Sequence, residues 1–276
     1  MTATPLPASS MGPALVIGAT GYIGRFVAEA CLESGRATYI LVRPGSASPA
    51  RAATVDALRA KGAIVVEGSV NDKDLVERKL REEAIEVVIS VMGGAQILDQ
   101  LNLLEAIKAV GSIKRFLPSE FGHDIDKADP VEPGQSFYKE KRKVRRAIEA
   151  AGIPYTYICC NSIAGWPYHD NTHPSEIAPP LDRFQIYGDG NVKENRIPAS
   201  IVAALTHDIF INGCQVNFSM DGCKDVEITC LYPDISFRTI DECFNDYAAD
   251  LPLKQGNEIT SPNSMVDRVS ITPTGA

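Results

Sequence analysis

The chain carries 35 acidic against 27 basic residues over 276 positions, a net charge of −8, and an acidic whole argues against nucleic acid as a partner, whose binding surfaces are basic. Apolar residues make up 45% of it, enough for a real core. No apolar run reaches the roughly 18 residues of a membrane span, and the opening MTATPLPASSMGP has neither the basic nor the apolar region of a signal peptide, so residues 1–13 are expected as a disordered tail and the cytoplasm as the location.

Strand-like and helix-like stretches alternate from Ala14 onward. Residues 14–17 form a short apolar run that enters GATGYIG at 18–24. A helical pattern follows through Phe26, Val27, Ala30 and Cys31, and Gly35 ends it. Further strands are expected at 39–42, 63–66, 87–91, 115–117 and 155–159. Further helices are expected at 50–61, 73–83 and 97–110, and a long one closes at Gly152. Short strands alternating with helices of ten or more residues imply βαβ units and a parallel sheet. The expected class is therefore α/β, a doubly wound, Rossmann-type sheet over 14–165 with a smaller substrate-binding region over 166–252. In such a sheet ligands sit beyond the carboxyl ends of the strands, so residues following strands one, two, four, five and six are the candidates.

GATGYIG places glycines at 18, 21 and 24, after the first strand and at the start of the first helix. That context gives a glycine triplet its force: Gly18 permits the tight turn, Gly21 lets backbone approach a pyrophosphate, and Gly24 permits close helix–sheet packing. Thr20, Tyr22 and Ile23 in the same turn are counted as cofactor contacts. Strand two ends in Arg43, where NAD enzymes usually place a carboxylate for the ribose 2′-hydroxyl. An arginine there can pair with a 2′-phosphate, which points to NADPH, and Arg51 is a second cation within reach. Gly93, Gly94 and Ala95 follow strand four, where absent side chains let a cofactor lie against the backbone.

RFLPSEFGHD at 115–124 brings Ser119, Glu120 and His123 to the sheet edge, and a histidine there can exchange protons near neutrality. His169 and His173 stand four apart, but Pro167, Asn171 and Pro174 surround them, so no helix is expected to present both and no metal site is assigned. His207 reads as packing. The seven cysteines form no C-x-x-C pair and read as free thiols rather than disulfides or zinc ligands. YKEKRKVRR at 138–146 carries six positive charges. The usual Tyr-x-x-x-Lys is not spelled there, since the fourth residue after Tyr138 is Arg142. On a helix the six charges cannot share one face. Most of the run is expected to be solvated, with one member buried beside cofactor and substrate, and spacing does not choose which.

At these residues the chain resembles the plant isoflavone reductase-like group of atypical short-chain reductases. RFLPSEFGHDI at 115–125, ICCNSIA at 158–164 and THDIFINGC at 206–214 narrow the resemblance to the leucoanthocyanidin-reducing branch. The resemblance implies hydride transfer from NADPH to C4 of a flavan-3,4-diol, with loss of its hydroxyl, giving a flavan-3-ol. It maps the general acid/base lysine onto Lys141 and the histidine of EFGHD onto His123. Tyr138 and Trp166 are weaker candidates for lining the flavonoid site.

The chain departs from the group at YGDGNVKENRIPASIV, 187–202. The group's sequence runs on for several tens of residues between the lysine matching Lys193 and the text like IPASIV. The chain therefore reads as internally shortened after Lys193, and the region from 253 onward, polar and rich in Ser, Thr and Asn, as a disordered tail. Two other readings stay open: a dinucleotide-binding module without catalysis, for which the shortening speaks, and a sibling reductase of lignans or isoflavones. Oligomeric state is not legible.

Overall fold

The structure is a computed structural model that describes residues 11–45, 48–161, 199–215, 220–222, 224–237, 239, 241 and 242. It divides into two compact units, 1–218 and 219–276. Trp166, His169, His173 and the junction after Lys193 lie outside the described residues, as do the expected tail at 253–276 and most of the one at 1–13. No described helix is long and apolar enough to cross a membrane.

The first unit is built on five parallel strands, β1 (Ala14–Ile17), β2 (Thr38–Val42), β3 (Ile64–Glu67), β4 (Val87–Ser90) and β5 (Arg115–Leu117), in the order β3-β2-β1-β4-β5. Every residue of the central strand β1 is buried, because helices cover both faces of a parallel sheet. Alternate side chains serve opposite faces. Leu15, Ile17 and Val88 join a core with α3 (Lys73–Glu82), α4 (Gln100–Val110) and α5 (Gly134–Ala151), through Leu80, Leu103, Ile107 and Ile148. Val16, Ile40 and Ile89 join a second core with α1 (Tyr22–Glu33) and α2 (Pro49–Ala60), through Ala28 and Leu58. Each fully buried aliphatic side chain contributes about 1.5–3 kcal/mol. This is the doubly wound, Rossmann-type arrangement that the alternation of elements predicts.

Register sets the site. Ile17 pairs with Leu41 on one side and Ser90 on the other, so Gly18, Arg43 and the residues after Ser90 emerge at one level. The chain leaves β1 toward β2 and returns after β3 on the far side of β1, which makes the crevice between β1 and β4 the switch point. Gly18 holds φ +84, and a Cβ there would lie 2.4 Å from the Val91 carbonyl oxygen. A Cβ on Gly24 would meet the Gly18 carbonyl oxygen at 2.0 Å, so the first glycine makes the turn and the third lets α1 close onto it.

The expected sixth strand is not one. Among the described residues it forms a single bridge, Tyr155 beside Phe116, with Phe116 N–H donating to Pro154 O and Thr156 N–H to Phe116 O. The next ladder position on β5 falls on Pro118, which has no N–H to give. The predicted helix at 97–110 is also divided, into a 3-10 helix at Gly94–Asp99 followed by α4. Beyond the junction, α6 (Ala199–Phe210) lies on α5, and Leu205 and Cys214 share a small core with Ile125 and Tyr138. In the second unit the described elements include the short helix α7 (Ile228–Leu231).

Candidate active site

A cavity of about 240 Å³ opens at the carboxyl ends of β1, β2 and β4. Gly18, Thr20 and Gly21 line it from the first turn, Arg43 and Arg51 from the far side, and Gly93 from the loop after β4. The N-terminus of α1 is left open toward an anion: its cap, Gly21, supplies no side-chain acceptor, and its first turn holds no carboxylate. The helix dipole and the backbone amides of its first turn then favour a phosphate. Glycine backbone, an uncapped helix and two arginines fit a dinucleotide phosphate. Five of the expected cofactor residues do not line this cavity. Gly24 is spent on packing. Tyr22 is exposed, edge-to-face with Phe26; Ile23 follows it in α1, and Gly94 and Ala95 enter the 3-10 helix. The sequence reading missed Gly68, Ser69 and Asn71, which line the cavity after β3. The turn-forming text GSVN at 68–71 was the available signal, at the one strand end left out of account.

The loop after β5 carries the second half of the site. Lys141 Nζ donates to the backbone carbonyl of Glu120 at 2.9 Å. Its amine is pushed below the usual lysine range, first by burial and then by the Arg145 charge, with Glu120 and Cys159 opposing. His123 is buried, and its Nδ1 meets the Tyr138 hydroxyl, one turn before Lys141 on α5. Burial raises the Tyr138 phenol. On the other side of the ring, Nε2 faces the Gln215 side-chain nitrogen at 2.9 Å, and Cys214 Sγ lies 3.9 Å from Nδ1. So α5 carries Lys141 and Tyr138 to the loop that holds His123, and the chain beyond α6 closes over the histidine. His207 of the THD stretch is exposed. Its neighbour Asp208 is the buried one, at 1% exposure, and accepts from Asn212 at 2.8 Å.

The basic run is less solvated than expected. Lys139, Lys143 and Arg146 are exposed, but Arg142 donates to the carbonyls of Ile125 and Ala128, and Arg145 is buried against Glu120, Asp124 and Asp126. The run clamps the 120–128 loop. Its acceptors lie 14 to 25 residues upstream, a separation no helical period reveals.

A neutral bracket joins the two halves. Gln100, at 1% exposure, donates through Nε2 to Ile97 O and accepts from Ser119 N–H at 2.8 Å. Ser119 Oγ donates to Met92 O, beside the Gly93 cofactor loop.

Burial pushes the His123 imidazole down, the Lys141 charge adds to this, and the Asp208 carboxylate works against it. A histidine depressed in the folded state is fully stabilising above its unfolded value of about 6.5. That contribution is lost as pH falls through the folded value, because the unfolded chain binds the proton more readily. Thermal unfolding from about pH 7 to pH 5 is therefore expected to lose less stability in His123→Gln than in the unaltered chain.

The model of the NmrA-like family matches residues 13–179. This chain belongs to the NmrA-like family. A leucoanthocyanidin reductase of Desmodium uncinatum is 47% identical over 310 residues, taking in 88% of this chain and 81% of that one. A phenylcoumaran benzylic ether reductase of Ginkgo biloba is 36% identical over 302 residues, 84% of this chain and 98% of that one. Both alignments are longer than the 276 residues of this chain, so a substantial internal part of these relatives has no counterpart here. Among solved structures, the binary complex of leucoanthocyanidin reductase with NADPH from Vitis vinifera matches with a TM-score of 0.75 at 47% identity, over 86% of this chain and all of that one. An isoflavone reductase structure matches with a TM-score of 0.70 at 29% identity, over 85% and 99% of the two chains.

Proposed function

We propose that this chain is an NADPH-dependent reductase that converts flavan-3,4-diols to flavan-3-ols, with Lys141 and His123 handling the protons. The observation that carries the reading is Lys141: a half-buried lysine whose amine has lowered proton affinity, tethered at the sheet edge where Gln100 and Ser119 tie its loop to the cofactor turn. The 47% identity to leucoanthocyanidin reductases, one of them solved with NADPH, supports the substrate and cofactor.

The chemistry must expel hydroxide from the benzylic C4. Neutral Lys141 takes the proton of the phenol para to that carbon, and electron flow into the ring releases the hydroxyl as a quinone methide forms. His123, entering the cycle in its protonated form, supplies the proton that makes the departing hydroxyl water and regains one from solvent before the next turnover. NADPH, when bound, would supply the hydride for C4. Lys141 returns its proton to the phenolate, and atoms and charge balance. Gly18, Thr20, Gly21 and Gly93 would hold the pyrophosphate and nicotinamide halves, and Arg43 with Arg51 the 2′-phosphate. Tyr138 orients His123, and Trp166 remains a candidate wall of the flavonoid site. The described cysteines are free thiols, which fits a reducing compartment such as the cytoplasm.

A second reading, dinucleotide binding without turnover, is favoured by the internal part that relatives possess and this chain lacks. Incubation of the purified chain with NADPH and a flavan-3,4-diol, followed by chromatography, separates the two. Formation of a flavan-3-ol is the expected result. Tight NADPH binding with no product would leave the binding module standing instead.

A further inference from the structure

Arg145 lies one turn beyond Lys141 and is 3% exposed. Its Nε donates to Glu120 Oε1 at 3.1 Å and its Nη2 to Oε2 at 2.9 Å. Nη1 reaches Asp124 at 2.7 Å and Asp126 at 3.0 Å, and the guanidinium sits 4.4 Å from the Tyr157 ring centroid. A buried ion pair is weak evidence for stability, because desolvation offsets the attraction. Its placement calls for another reason, and Glu120 supplies one. The residue gripped at its carboxylate by Arg145 is the residue whose backbone carbonyl accepts from Lys141.

We propose that Arg145 is a positioning residue of the reaction: its two-point grip on Glu120 fixes the carbonyl that tethers Lys141 and neutralises a carboxylate that would otherwise keep the amine protonated. Arg145 acts through Glu120 and needs no contact with substrate or cofactor. The proposal rests on Lys141 as the proton-handling group. The charged and titratable groups facing that amine are Arg145 from its own helix, Glu120 and His123 from the loop after β5, and Cys159 from the segment beside it. Arg145 and burial act against the ammonium, while Glu120 acts for it. The two partners must therefore shift its titration in opposite directions. Simple loosening of the site would shift it one way only, toward an ordinary lysine.

The test is a titration of Lys141 by NMR in the full-length chain carrying ¹³C-ε-labelled lysine, with Lys141→Arg assigning the signal. In Arg145→Met the midpoint is expected to rise by about one pH unit. In Glu120→Gln it is expected to fall by a similar amount, and in Arg145→Lys, which keeps the charge, to stay near the unaltered value. Both variants moving upward, or neither moving, would overturn the proposal. Should Arg145→Met fail to fold, Glu120→Gln decides alone: a downward shift supports the proposal, an upward or absent one sinks it. The readout needs no turnover. A chain that shows these shifts, binds NADPH and makes no flavan-3-ol would refute the proposed activity and leave the charge coupling standing.

Discussion

Lys141→Ala is expected to lower kcat/KM for a flavan-3,4-diol by about 10²–10⁴-fold, the usual contribution of a positioned acid/base group. NADPH affinity should stay within about twofold. The split follows from geometry. Lys141 is tethered to Glu120 in the loop after β5, whereas the cavity that fits the dinucleotide is lined by residues of the first four strand ends and does not include Lys141. Steady-state rates with a fluorescence titration of NADPH check both halves. A parallel fall in nucleotide affinity would mean that the alanine had disturbed the fold. Full activity would remove Lys141 from the mechanism.

Arg43→Ala is expected to weaken NADPH binding by about 10–100-fold while leaving NADH binding nearly unchanged. A hydrogen bond to a charged group is worth about 1.5–3 kcal/mol, and the 2′-phosphate is the only group by which the two nucleotides differ. Arg43 stands at the end of β2, where it lines the cavity together with Arg51, and Arg51→Ala should show a smaller effect in the same sense. Calorimetric titration of both nucleotides against both variants gives the ratio directly. Equal losses for NADPH and NADH would show that Arg43 shapes the cleft without reading the phosphate.

The parts of this molecule that were legible in its sequence are those governed by local rules. Apolar runs of four, glycines with a required turn and a helix ending at Gly152 all announce themselves within a few residues, and β1 and β5 fall where the text places them. The strand expected at 155–159 failed because one proline on its neighbour ends the ladder, a fact that belongs to the pairing and not to either segment. Arg142 and Arg145 were hidden because a charge on a helix is normally solvated, and only the folded loop brings Ile125 O and Glu120 to them. Gln100 gave no signal at all: a lone glutamine in a helix carries no pattern. Asp208 stood beside a histidine that drew the attention, and the helix turned the aspartate inward instead.

Gln100 also determines what acidity can and cannot do to this protein. Its bonds to Ile97 and Ser119, and the bond from Ser119 to Met92, involve amides, a hydroxyl and carbonyls, none of which titrates in the physiological range. The ion pairs nearby respond to acid and to ionic strength; this bracket, buried and uncharged, responds to neither. A change of pH therefore alters how many protons the loop after β5 carries, while the separation between that loop and the nucleotide turn stays the same. Over the pH range in which the ion pairs of the 120–128 loop persist, the rate profile of the reductase should record ionisation alone.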